Sequence, residues 1–349
     1  MRGEIIVDLN NLKANVKAYR ERIDEKVKLI GVVKADGYGH GAEKIAETVD
    51  EFSAFAVATA EEALTLRRST LKPILLLGVA DYNESATLIA SDVTLCAYEN
   101  SQLKDIAKLS KVIGKTARVH IAVDTGMNRI GLKTVAEAEK TALCASHLGG
   151  VEVTGVFSHL YDCTDDAASA EQLRKFKEIS RVFPKDVTRH LAASGRATDK
   201  DYAFSAVRLG LGIYGYGADF VSPCMSVTGR VVRVVKLSSG ESVGYGGKFV
   251  AKSPVYVATL SLGYADGVPR SYTGGSVIIG GKKREIVGAV CMDFCFAVVE
   301  RAVKVGDEAV FIGRSGESEI TAEEVAEKTG TISYEILTGF KRLKRRYIL

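Results

Sequence analysis

Residues 28–49, KLIGVVKADGYGHGAEKIAETV, decide how the rest of the chain is read. An apolar run ends at Val33, a polar, glycine-rich turn follows, and a helix-like stretch begins at Ala42. Strand, loop and crossover helix in that order build parallel sheets. Lys34 sits where the strand gives way to the loop. There it is either a solvated end-of-strand residue or an amine presented into a site, able to form a Schiff base with a carbonyl compound.

The same texture recurs at 54–59 (AFAVAT), 73–78 (PILLLG), 93–98 (VTLCAY), 117–123 (ARVHIAV), 153–159 (VTGVFSH), 188–194 (TRHLAAS) and 205–210 (SAVRLG), with amphipathic stretches such as Ala60–Arg68, Thr134–His147 and Ser169–Phe183 between. Eight such units predict an α/β fold, a closed (β/α)8 TIM-type barrel. After about residue 225 short Val-, Ile- and Thr-rich runs alternate with glycine turns: 227–237, 254–263, 276–290, 295–300 and 308–313. That pattern predicts a mainly antiparallel β domain, barrel or sandwich. The boundary is set near Ser222-Pro223, giving domains 1–221 and 222–349. The run Glu4–Leu9 is expected to cross over and join the β domain. Thr321 with Glu324 reads as a capping box opening a helix at 322–328.

The 349 residues carry a net charge of +4 and no uncharged apolar stretch long enough for a membrane span. The N-terminus is charged too early for a secretory signal, so a cytoplasmic location is expected. The six cysteines lie mostly in apolar runs, where they act as small hydrophobes, and no metal site is expected. The basic run KRLKRRY (341–347) reads as a solvated or subunit-contacting end rather than a nucleic-acid contact.

Chemistry in such a barrel collects at the C-terminal ends of the strands, where the loops converge. Lys34 follows the first barrel strand, Arg129 lies beyond the fifth, His159 ends the sixth, Ser194 ends the seventh, and Arg208 with Gly210 closes the eighth. Taken singly each has an ordinary reading: a hydrogen-bonded structural histidine, a helix N-cap at Ser194, a tight turn at Gly210-Leu211-Gly212. Arg208 in a barrel strand needs a partner for its charge. Together an amine, a phosphate-sized cradle and two arginines describe a site for a phosphorylated aldehyde cofactor.

On these residues the chain resembles the alanine racemases, fold-type III pyridoxal-phosphate enzymes. VVKADGYGHG, AVDTGMNRIG, VFSHL, VRLGLGIYG, SVGYGGKF, LGYADG, VCMDF and TISYE follow that family's motifs in order, over nearly the whole chain. The resemblance implies interconversion of L- and D-alanine, supplying D-alanine for peptidoglycan. It implies that Lys34 carries pyridoxal 5'-phosphate and is one catalytic base, with Tyr245 the other, otherwise a strand aromatic beside a glycine turn. Tyr38, Ser194, Tyr334 and the backbone N–H groups of Gly210 and Leu211 would hold the phosphate. Arg208 would meet the pyridine nitrogen, and His159 would link Arg208 to Tyr245. Arg129 and the Met292 N–H would bind the substrate carboxylate, and Tyr264 would narrow the entrance. Tyr245 and Met292 would come from the partner's β domain, so a homodimer with shared sites is expected.

Four positions depart from the family's pattern, one of them Asn128, where a glycine is more usual. Ala122 stands where a carbamylated lysine often supports the carboxylate-binding arginine, leaving Arg129 to find an anion or Asn128; Ala193 replaces an asparagine, and Ala289 an entrance arginine. These leave open a serine or broad-specificity racemase. A non-catalytic pyridoxal-phosphate carrier and a decarboxylase are further readings that the β domain and Arg208 disfavour.

Overall fold

The computed structural model describes residues 2–349. These form two compact units, one made of Leu12–Gly37 and Gly41–Ser222, the other of the segment ending at Asn11, Tyr38–His40 and Pro223–Leu349. The chain opens with strand β1 (Gly3–Asp8), which belongs to the second unit.

The first unit is a parallel barrel. Strands β2 (Lys28–Val32), β3 (Ala54–Val57), β4 (Ile74–Leu76), β5 (Val93–Ala97), β6 (Ala117–Ala122), β7 (Val151–Phe157), β8 (Thr188–His190) and β9 (Ala206–Leu209) pair in the order β8-β7-β6-β5-β4-β3-β2-β9. Arg208 N–H donates to the Ala192 carbonyl at 3.0 Å and Ser205 N–H to that of Arg189 at 3.2 Å, which closes the ring between β8 and β9. The eight apolar runs seen in the sequence are thus the eight strands of one barrel. They lack polar alternation because side chains fill the inside and helices cover the outside; every residue of β5 is buried. Thr59 with Glu62, Asp81 with Glu84 and Thr134 with Glu137 form reciprocal capping boxes on helices Ala60–Leu66, Tyr82–Ala90 and Val135–His147. Helix N-termini and strand C-termini therefore share one end of the barrel, the end that gathers polar groups.

The second unit is built on β10 (Met225–Leu237), β11 (Ser242–Val243), β12 (Phe249–Val250), β13 (Val255–Leu260), β14 (Ser276–Ile279), β15 (Lys282–Val287), β16 (Cys295–Val299), β17 (Glu308–Ser315), β18 (Ser318–Ile320) and β19 (Lys344–Ile348). Strands β17, β14, β15, β16, β13 and β10 pair in sequence, and β10 pairs back to β17, so the sheet closes into a small antiparallel barrel rather than a sandwich. The long β10 serves both neighbours by bending at irregular pairings near Thr228 and Arg233. Strand β1 lies between β10, antiparallel, and β19, parallel.

Three sequence expectations change here. The basic C-terminal run is part of a strand: Arg346 makes a two-pronged ion pair with Glu4 on the neighbouring β1, and the Arg345 guanidinium donates to the Gly39 carbonyl. A second helix, Ser333–Gly339, follows the expected one, which runs Ala322–Thr329. Thr321 caps that first helix, but Glu324 turns to Lys283 at 2.7 Å instead of completing the box, because a cross-strand ammonium competes for its carboxylate.

Candidate active site

Lys34 follows β2 and Arg208 lies on the adjacent β9, whose Leu209 pairs with Gly31 and Arg208 itself with Ile30. Burial pushes the Lys34 ammonium pKa below its ordinary value, the charges of Arg129 and Arg208 push the same way, and Glu62 opposes them. An amine so placed is unprotonated more often than a surface lysine, which is the form that attacks a carbonyl or takes up a proton.

Arg208 is 3 % exposed. Its Nη1 donates to the His190 carbonyl at 2.9 Å and to His190 Nδ1 at 2.7 Å, and its Nη2 to the carbonyls of Ser158 and Leu191 and to His159 Nδ1 at 3.1 Å. A guanidinium only donates, so both imidazoles accept at Nδ1 and carry their hydrogen on Nε2. His190 Nε2 lies 2.9 Å from His120 Nδ1, so the chain of hydrogen bonds continues from Arg208 through His190 to His120. Phe157 stacks on His190 with centroids 5.1 Å apart. Gly155 makes room for His120, since a Cβ there would lie 2.5 Å from the ring. Neither His120 nor His190 stood out in the sequence: both are single histidines inside apolar strands, and only the barrel brings them beside Arg208.

All three imidazoles are held neutral. Burial and then the Arg208 charge push His120 and His159 down to about 3, and His190 well below its ordinary value. Histidines in the unfolded chain take up protons near pH 6.5. Their stabilisation is therefore complete above that pH and is lost as pH falls toward 3, at up to ~1.4 kcal/mol per pH unit for each histidine. The urea midpoint should fall between pH 7 and pH 5, and His120→Asn, whose carbonyl can still accept from His190, should flatten that fall. An unchanged slope would contradict the buried neutral relay.

Ser194 begins the short turn Ser194–Arg196, yet its hydroxyl does not cap it. Instead the Ser194 Oγ accepts from the backbone N–H of Gly210 at 3.0 Å and of Gly212 at 3.1 Å. Leu211 opens the next turn, Leu211–Tyr214, and the N–H groups two apart point the same way. Gly212 is forced, because a Cβ would sit 2.1 Å from the Tyr19 hydroxyl, which itself reaches the Ser194 carbonyl. The hydroxyl that gathers these two N–H groups keeps its own hydrogen to donate, so a serine and two glycine N–H groups collect where an anion can be held.

Arg129 lies beyond β6 in an exposed loop. Asn128 is not its partner: the asparagine sits at φ 54°, bonds the Gly126 carbonyl, and accepts from Lys133 Nζ at 2.8 Å. Ala122 is buried in an apolar cluster with Cys96 and Phe157, edged by Leu77, Tyr98 and Ile130, so small hydrophobic groups occupy the place of a charged one.

In the second unit, Tyr38 packs its ring 5.7 Å from that of Tyr334. Tyr245 stands 72 % exposed on the turn between β11 and β12. Cys291 joins two other stretches: its thiol donates to the Ala289 carbonyl at 3.5 Å, and its carbonyl accepts from Tyr264 N–H at 2.9 Å. The Met292 carbonyl accepts from Ala265 N–H, and Met292 and Tyr264 are both exposed. A fully buried Asp266 anchors these loops. Arg2 clamps it at 2.8 and 2.7 Å, and the same guanidinium reaches Asp293. The carboxylates of LGYADG and VCMDF thus hold two loops in place, a role hidden in sequence because Arg2 is 264 positions from Asp266. Ala289 is buried, not on a rim.

A parallel barrel with a depressed lysine after its first strand, a buried arginine and an anion cradle at the same strand ends, followed by an antiparallel unit, defines the class of barrel enzymes that take a phosphorylated aldehyde. The residues fit such a group: a serine hydroxyl and glycine N–H groups collect at the strand ends, and the amine is tuned toward its reactive form. Residues 7–218 match the alanine racemase N-terminal domain and residues 224–347 the C-terminal domain. The alanine racemase of Streptococcus uberis is 38% identical over 98% of this chain and 96% of its own. Among solved structures, alanine racemase from Bacillus anthracis with bound L-Ala-P superposes with a TM-score of 0.94 at 30% identity, covering 99% of this chain and 95% of that one. The Bartonella henselae alanine racemase with covalently bound pyridoxal phosphate superposes with a TM-score of 0.90 at 30% identity, covering 99% of each chain. A histidine racemase from Leuconostoc mesenteroides superposes at 0.92 with 26% identity, covering 100% of this chain and 98% of that one. The chain belongs to the alanine racemase family, a family of pyridoxal-phosphate-dependent isomerases.

Proposed function

We propose that this chain interconverts L- and D-alanine by a two-base mechanism in a cytoplasmic homodimer, supplying D-alanine for peptidoglycan. The observation that carries the reading is the gathering of Lys34, Arg208, His159 and the Ser194 cradle at the C-terminal ends of the barrel strands. Pyridoxal phosphate, when bound, supplies the carbonyl that joins an amine and the conjugated ring that makes an α-proton acidic. Lys34 would hold it covalently, and Ser194, Tyr38, Tyr334 and the N–H groups of Gly210 and Leu211 would hold its phosphate, the Gly210 N–H exchanging the Ser194 oxygen for a phosphate oxygen.

Lys34 Nζ takes or returns a proton on one face of the substrate α-carbon, and the Tyr245 hydroxyl of the partner does so on the other. One base removing and returning a proton on the same side regenerates the starting enantiomer; two bases on opposite sides invert directly. Arg208 would face the ring nitrogen. An arginine does not give up its proton near neutral pH, so it would leave that nitrogen unprotonated and restrain the electron withdrawal the cofactor supplies, which disfavours side reactions. The hydrogen bonds that lock Arg208 to neutral His159 and His190 support that role. His159 Nε2 carries the hydrogen that can reach the Tyr245 phenol. Arg129 and the Met292 N–H bind the substrate carboxylate, while Tyr264 and Tyr334 limit the side chain to about a methyl group.

Large apolar side chains left exposed on the β unit, Tyr245, Tyr264, Met292 and Phe294, support a second copy covering that face. A serine or broader substrate range is the second reading, favoured by the small residue at Ala122; rates on alanine, serine, lysine and arginine separate the two. The proposal is tested by incubating the protein and pyridoxal phosphate with L-alanine in D₂O. Deuterium uptake at the α-carbon with approach to zero optical rotation is expected; carbon dioxide release, or no exchange, would overturn it.

A further inference from the structure

Immediately after Lys34 the backbone takes a conformation rare for residues with side chains. Ala35 (φ 51°, ψ 47°), Asp36 (φ 52°, ψ 54°) and Gly37 (φ 61°, ψ 42°) are all left-handed, and Tyr38 follows at φ 52°. Each non-glycine residue there costs roughly 1–2 kcal/mol, so the turn persists only because bonds around it outweigh that cost. Gly37 N–H donates to the Val33 carbonyl at 2.7 Å, Gly41 N–H to the Asp36 carbonyl at 2.9 Å, and Ala42 N–H to the Asp36 carboxylate at 2.8 Å. These are local. The fourth bond is not: Ala35 N–H donates at 2.7 Å to Glu62 Oε1, from the helix after the next strand.

Glu62 also looks like an ordinary capping-box residue, and its Oε2 does accept from the N–H groups of Ala58 at 2.8 Å and Thr59 at 3.3 Å. A capping glutamate has no call on a residue 27 positions earlier. Here the two oxygens divide the work, one fastening the end of β3 and the other the turn that follows β2. Glu62 itself is fixed, since its backbone N–H is capped by Thr59 Oγ1 at 3.2 Å.

We infer that Glu62 is a positioning residue for Lys34: it holds the left-handed turn that follows the amine and brings a carboxylate charge to bear on it. The direction of its effect on Lys34, against burial and both arginines, accords with this. The inference rests on Lys34 as the cofactor-bearing residue.

The test follows condensation of Lys34 with pyridoxal phosphate in the full chain freed of cofactor. The amine joins the aldehyde with loss of one water, borohydride then reduces the C=N bond to a secondary amine, and mass spectrometry locates the label. Glu62→Gln keeps an acceptor but removes the charge. It should shift the pH midpoint of condensation to lower pH and weaken the adduct about tenfold, the loss of one charge-assisted hydrogen bond. Glu61→Gln, on the exposed neighbour, should change neither. Wild-type midpoint and affinity in Glu62→Gln would overturn the inference, since a purely structural cap would not move the titration of Lys34. If the unmutated protein gives no label at Lys34, the assignment of Lys34 fails and takes this inference with it.

Discussion

Lys34→Ala is expected to lower racemisation in both directions by at least about 10⁴-fold, the upper range for removing a positioned proton carrier, because it also removes the covalent hold on the cofactor. The cations that act on that position, Arg129 and Arg208, do not replace the amine: a guanidinium neither attacks a carbonyl nor exchanges a proton near neutral pH. The substitution should leave the fold intact, since the Ala35 and Gly37 bonds that shape the following turn are made by backbone N–H groups. The measurement is the forward and reverse rate by optical rotation, with urea unfolding as the control for stability. Activity within tenfold of the unmutated protein would remove Lys34 from the reaction.

Tyr245→Phe should produce a different kind of loss. Racemisation is expected to fall by about 10²–10⁴-fold, while α-proton exchange of one alanine enantiomer continues. Lys34 can still remove and return a proton on its own face, which labels that enantiomer with deuterium without inverting it. The other enantiomer, whose proton faces the missing phenol, should neither exchange nor invert. Proton NMR in D₂O on each pure enantiomer reads both quantities. Equal loss of exchange for the two would argue that Tyr245 shapes the site rather than carrying a proton. Because Tyr245 is largely exposed, removing its hydroxyl should not destabilise the chain measurably.

Much of this was legible in the sequence. Eight apolar runs spaced by helices point to a closed parallel barrel rather than an open doubly wound sheet, because both faces of each unalternating strand must be covered and eight such strand–helix units close a ring. Lys34, Arg129, His159, Ser194 and Arg208 could be singled out because each falls at the same end of its strand. What could not be read depends on contacts between distant segments. The relay from Arg208 through His190 to His120 joins β9, β8 and β6. Arg2 meets Asp266 across nearly the whole chain, and β19 finds β1 in the same way. Gly212 drew notice only as part of a glycine turn, whereas its place in the cradle follows from the alternation of N–H directions and from the Tyr19 hydroxyl packed against it. The left-handed run at Ala35–Tyr38 carries a weak signal in its single glycine, Gly37, but Ala35 and Tyr38 are residues that ordinarily avoid that region.

The central claim is that each site needs Lys34 of one chain and Tyr245 of another. Lys34→Ala and Tyr245→Phe chains, each nearly inactive alone, should be co-expressed with different tags and the mixed dimer isolated. Every mixed dimer then carries one doubly impaired site and one intact site, so about half the activity of the unmutated dimer is expected if two sites are shared across a twofold interface. A verified mixed dimer no more active than the two separate mutants would contradict the shared site and the mechanism built on it.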